Sequence, residues 1–133
     1  MTIPESSVHW VDFDLSAVAR ELQAEEMYFR DGQAARTLLR AFDLRIVVIA
    51  MRAGKRISEH HANVTASIQT LTGRVRLHFD EGSAELAAGQ LLVLGPGLTH
   101  DVIAEIDSAI VLTLGWRAAE PGQMTAAAHE GAR

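Results

Sequence analysis

The sequence predicts an all-β domain, a sandwich or barrel of short strands, entered through one short N-terminal helix. Three observations predict it. From Gly32 onward, short apolar segments are separated by turn residues at regular intervals. The segment Arg74 to Phe79 alternates strictly, with Arg74, Arg76 and His78 on one face and Val75, Leu77 and Phe79 on the other. No helical period lies between the strands, which argues against parallel βαβ units.

The elements follow in order. Leu15, Val18, Ala19 and Leu22 recur at helical spacing, and Asp14 or Ser16 can cap that helix. Asp31-Gly32 punctuates the chain. Thr37-Leu38-Leu39 reads as an edge strand. Arg45 to Met51 is β-branched and almost wholly apolar, as a strand buried on both faces would be. Ala53-Gly54-Lys55 is a turn, and a strand between it and the histidines at 60 and 61 follows. Thr65 to Leu71 is a strand ending at Gly73. Asp80-Glu81-Gly82 closes a hairpin after Phe79. Ser83 to Ala87, Gln90 to Leu94, Asp101 to Ile106 and Ala109 to Trp116 complete the set. The expected organisation is a helical extension over 1–35, a β-barrel over 36–117 and a disordered tail over 118–133, where no apolar period remains.

Composition narrows the function classes. A chain of 133 residues is one ordinary domain, and 48% hydrophobic residues are enough for a core. The absence of cysteine removes disulfides and thiol chemistry. The net charge of −5, with arginines scattered, leaves no electrostatic footprint for nucleic acid. No apolar run is long enough for a membrane span. The N-terminus lacks a basic region followed by an apolar stretch, so no signal peptide is expected and the cytoplasm is the expected location.

Two clusters carry chemistry. The first is Gly54, five residues, then His60-His61, with Gly73 beyond. The second runs from Gly89 through Gly95-Pro96-Gly97 to His100. Neutral imidazole is the commonest protein ligand for zinc, iron, copper and nickel. If the strands bearing them lie side by side, His100 and one of His60 and His61 converge on one opening.

With those residues in place, the stretch from about Arg45 to Trp116 resembles the cupin superfamily, a double-stranded β-helix or jelly-roll fold. Gly89, Gly97 and His100 stand at the intervals of the second cupin motif. Pro96 sits one place after the motif's proline position, which Gly95 occupies, and Ala104 replaces the usual asparagine. Gly54, His60 and Gly73 match the first motif, which is degenerate: Ala62 stands at the second histidine position and Ala66 at the glutamate position. With the longer spacer, His61 becomes the second histidine, Glu59 takes the first place, and Ala66 still replaces the carboxylate.

The resemblance implies a metal site of three histidines and one glutamate, which this sequence holds only in part. The candidate ligands are His60, His61 and His100, with Glu59 or Gln69 as a fourth. Gln69 serves only if a bulge turns it inward. The metal would be zinc, iron, nickel or manganese, or none. A second candidate is a pocket wall of Arg74, Arg76 and His78 that binds an anion, against the plainer reading of a solvated sheet face. Trp10, Met51 and Trp116 read as core or interface residues. Two functions follow from the resemblance: a module binding a small molecule in the barrel mouth, or a metal-dependent dioxygenase, isomerase or lyase. No general base is identifiable. A homodimer is expected, since apolar strand surface is ample.

Overall fold

A computed structural model describes residues 9–60 and 63–115 of the chain. The N-terminal helix α1 spans Leu15–Gln23, and the carboxylate of Asp14 caps it by accepting from the Ala17 N–H at 3.1 Å. Val18, Ala19 and Leu22 are its buried face. A second helix, α2 (Glu26–Asp31), follows and stops at Gly32, whose φ of 83° is the left-handed cap that glycine adopts without strain. Its six residues are too few to show an apolar period, so the sequence pattern did not reveal it. Trp10, expected in a core or an interface, is 77% exposed and belongs to neither core.

The strands are β1 (Gln33–Arg40), β2 (Leu44–Met51), β3 (Arg56–His60), β4 (Ala66–Thr72), β5 (Arg74–Phe79), β6 (Gly82–Ala87), β7 (Leu91–Leu94), β8 (His100–Ala104) and β9 (Ser108–Gly115). They pair antiparallel into a five-stranded sheet, β1-β2-β9-β4-β7, and a four-stranded sheet, β3-β8-β5-β6. This is the two-sheet jelly-roll arrangement. The edge strand expected at Thr37 begins earlier, at Gln33, so it crosses the boundary expected between residues 35 and 36. Gln33 and Ala34 are recruited by pairing with Met51 and Ala50, a constraint invisible to local propensity.

Two cores hold these layers. Between the sheets pack Met51, Ile68, Val75, Leu77, Val102, Ile110 and Leu112. On the outer side of the five-stranded sheet, Val18, Leu22 and Tyr28 of the helices cover Ala34, Leu38, Val48, Ala50 and Val111. Strand β2 serves both: Val47 and Met51 face the interior, Val48 and Ala50 face the helices. That is why its sequence is apolar throughout rather than alternating. Gly73 is the single residue between β4 in one sheet and β5 in the other. Its φ is 84°, and a Cβ there would lie 2.3 Å from Ser108 Oγ and 2.4 Å from the Asp107 carbonyl. Only glycine makes this corner.

Candidate functional site

Strands β3 and β8 are neighbours, and their register decides the site. Arg56 pairs with Ile103 and Ile57 with Val102, but His60 pairs with His100. A regular ladder would put Glu59 opposite His100. A one-residue bulge between Ile57 and His60 shifts the register. Directly opposed residues of an antiparallel pair share a face and stand about 5 Å apart at their Cα atoms. The two positions are therefore adjacent, at the end of the sheet where β3 finishes and β8 begins.

His100 lies on the inward side of β8, in phase with Val102 and Ala104 of the interior core, and is 6% exposed. Its Nδ1 is 3.1 Å from the Leu98 carbonyl oxygen. A carbonyl only accepts, so Nδ1 carries the proton and Nε2 carries the lone pair when the ring is neutral. That tautomer, held by a backbone oxygen, is the one in which metal-bound histidines are oriented. Around it the inward positions are apolar. Ala66 and Ala104 are both buried in the interior core, where the superfamily pattern puts a carboxylate and an asparagine.

The donor set is correspondingly thin. Among the described residues no group of three or more ligating side chains comes together. Alanine at 66 cannot coordinate, so the carboxylate of the superfamily's ligand set is missing at that position. For Glu59 and His60 the structure describes the strand position, and His61 lies outside the described residues.

The other candidates are placed elsewhere. Gln69 stands opposite Val111 of the helix-covered face and between the inward residues Ile68 and Thr70. No bulge falls between Ala66 and Thr70, so simple alternation holds and Gln69 faces away from His100. Arg74, Arg76 and His78 do not wall an interior pocket. Val75 and Leu77 take the inward positions of β5, which leaves the charged residues outside. There Arg74 Nε donates to Glu105 at 2.8 Å, Arg76 Nε to the same carboxylate at 2.9 Å, and both approach Glu85. Donation from Arg74 first, and then from Arg76, holds the Glu105 carboxyl down to about 2.

Asp101 was not anticipated. It faces outward, next to His100, yet is 5% exposed because Arg56 and His78 close over it. Arg56 Nε donates to its Oδ2 at 3.0 Å, and His78 Nδ1 is 3.1 Å from its Oδ1. Burial pushes this carboxyl up, but the hydrogen bonds from Arg56 and His78 outweigh that and bring it below the ordinary range. The three residues come from three strands, so no local spacing could have joined them.

No protein-family model and no curated protein sequence matches the chain. Solved structures do. A conserved protein of unknown function from Streptococcus pyogenes superposes with a TM-score of 0.69 at 25% identity, covering 90% of this chain and 98% of that one. A cupin superfamily protein from Desulfitobacterium hafniense gives 0.66 at 15% identity, over 74% of this chain and 87% of that one. A variant of salicylate 1,2-dioxygenase from Pseudoaminobacter salicylatoxidans, solved with gentisate, gives 0.68 at 14% identity over 77% of this chain. This chain spans 32% of that enzyme's length. Two facing antiparallel sheets, strand order and structural neighbours agree: the chain has the double-stranded β-helix fold of the cupin superfamily.

Proposed function

We propose that this cupin binds a small molecule at the barrel end where His60 and His100 are paired, using a reduced set of imidazole donors. The observation that carries the reading is the register of His60 opposite His100. The buried, carbonyl-anchored ring of His100 supplies one oriented nitrogen. The apolar inward surface around it supplies the walls of a small-molecule site, as ligand pockets are mostly apolar with few polar groups. Alanine at 66 and 104 neither coordinates nor relays protons, which favours binding over catalysis.

The test is a thermal-shift screen of small acids and sugars at millimolar concentration, on wild type and His100→Ala. A ligand that raises the wild-type Tm and not that of the variant supports the reading. No stabilising ligand, or equal shifts in both proteins, overturns it.

A second reading, a metal-dependent dioxygenase, isomerase or lyase, is favoured by the same pairing of two imidazole-bearing positions, with His61 as a third. Zinc, iron, nickel and manganese all accept imidazole. Metal content of untagged protein separates the two readings. Near-stoichiometric metal that disappears in His100→Ala selects the enzyme. Failure to retain any of these metals after incubation rejects it.

The protein is also proposed to act as a homodimer in the cytoplasm. The outward side of β7, an edge strand, presents Leu91 and Val93 at 58% and 61% exposure, an apolar strip that a second copy would cover. No helix among the described residues is long and apolar enough to cross a membrane. Light scattering at micromolar concentration is expected to give twice the chain mass; the monomer mass would refute the dimer.

A further inference from the structure

At the end of β3 and β8 away from His60 and His100, the surface is indented by an open cleft of about 380 Å³. Its floor is the turn joining β2 to β3, and that turn is fastened on three sides. The Arg52 N–H donates to the Gly32 carbonyl at 2.9 Å, the Gly54 N–H to the Ala104 carbonyl at 2.8 Å, and the Ala53 N–H to Asp107 Oδ1 at 2.8 Å. Gly54 holds the turn at a φ of 86°.

The charges around this cleft are not equally committed. Arg30 and Asp31 bind each other at 3.2 Å. Asp107 is engaged by the Ala53 N–H. Arg52 donates one Nη1 hydrogen to the Phe29 carbonyl at 3.3 Å, and its guanidinium carbon lies 6.0 Å from the centre of the Phe29 ring. These contacts orient the guanidinium and leave further N–H groups for a ligand. Lys55 also lines the cleft with its stem beside Gly32; its ammonium acts on the Asp31 carboxylate through space and forms no ion-pair contact among the described residues. The Phe29 ring is 58% exposed at the rim. A chain of net charge −5 thus keeps two cations with spare donors beside an exposed aromatic ring.

We propose that this cleft is a second binding site, for a small organic anion: a carboxylate carrying a flat apolar body. Arg52 and Lys55 take the carboxylate through charge-assisted hydrogen bonds, and Phe29 packs against the apolar body. A cation is disfavoured because the lining carries three cationic side chains, Arg30, Arg52 and Lys55, against two carboxylates, Asp31 and Asp107. Inorganic phosphate would leave the aromatic ring without a role. The site is separate from the histidine end and does not depend on what binds there.

The test uses benzoate as the probe, titrated into the full chain by calorimetry, with benzylamine and inorganic phosphate as controls. Benzoate is expected to bind at millimolar or lower concentration. Affinity should fall roughly tenfold in Arg52→Gln and in Lys55→Gln, less in Phe29→Ala, and stay unchanged in His100→Ala. Lys55 bonds the rest of the protein only through its backbone, from its N–H to the Arg52 carbonyl and from the Ala104 N–H to its own carbonyl, and Lys55→Gln leaves both in place, so its variant folds normally and keeps the test decisive. Benzylamine binding as well as benzoate, phosphate binding as well as benzoate, or benzoate binding lost only in His100→Ala would each overturn the proposal.

Discussion

The outward faces of the two sheets solve the same problem in opposite ways. Both sheets turn one side to the interior and must dispose of the other. Over β1, β2 and β9 the solution is apolar: helix α1 and Tyr28 of α2 lie on Val48, Ala50 and Val111 and exclude water. Over β3, β8, β5 and β6 no helix among the described residues covers the sheet, and the side chains are Arg56, Asp101, His78, Arg76, Arg74, Glu85 and Glu105, tied into ion pairs. The lesson is energetic. Apolar cover removes surface from water and stabilises by area. A charged face mostly exchanges water for partners and stabilises little where it stays wet. The exception is Asp101, which the network buries.

Four substitutions can break or sharpen that contrast. The largest effect is expected for Leu22→Ala. The side chain is fully buried under the helix, and its loss should cost about 2–5 kcal/mol, read as a fall in the urea midpoint. A cost below about 1 kcal/mol would mean that the helix is not part of the cooperative fold. Next is Asp101→Asn, which removes the charge that Arg56 and His78 bond. A loss of about 1–3 kcal/mol is expected from a buried, charge-assisted pair, checked in the same denaturation experiment. If the variant is as stable as wild type, Asp101 behaves like the rest of the wet network.

Asp14→Ala tests the apolar side from its edge. It deletes the cap of α1 and should cost about 1 kcal/mol, with reduced helical signal in the far-UV spectrum. The smallest effect is expected for Glu105→Gln, a small loss that fades with added salt. Its sign with pH is definite. The folded-state carboxyl is depressed to about 2 from an ordinary 4.5, so its contribution is present above 4.5 and lost as pH falls toward 2. Wild type should therefore lose more stability than the variant across that window. Parallel acid-denaturation curves would show that Glu105 is not held by its arginines.

Much of the fold was legible because it rests on short-range patterns. The alternation of Arg74 to Phe79 and the unbroken apolar run from Ile46 to Met51 each report what lies on the two faces of one strand. The cap at Asp14 and the corner at Gly73 are likewise local. The site was legible only as a pair of clusters. Alternation correctly warned that Gln69 opposes Ala66, and it also held for Arg74, Arg76 and His78, whose place on the outside follows from Val75 and Leu77 being apolar. What those arginines bind could not be read, since Glu85 reaches them from β6 and Glu105 from the bend after β8.

The amino-acid order alone determined a β domain with glycine corners, an apolar two-faced second strand and imidazoles near two turns. These features follow from backbone geometry and side-chain period within a few residues. Tertiary structure decided which of those imidazoles meet. A single extra residue in β3 puts His60, and not Glu59, opposite His100, because a bulge shifts every later residue to the other phase of the pleat. That choice is made by the partner strand, whose hydrogen bonds no local segment can foresee.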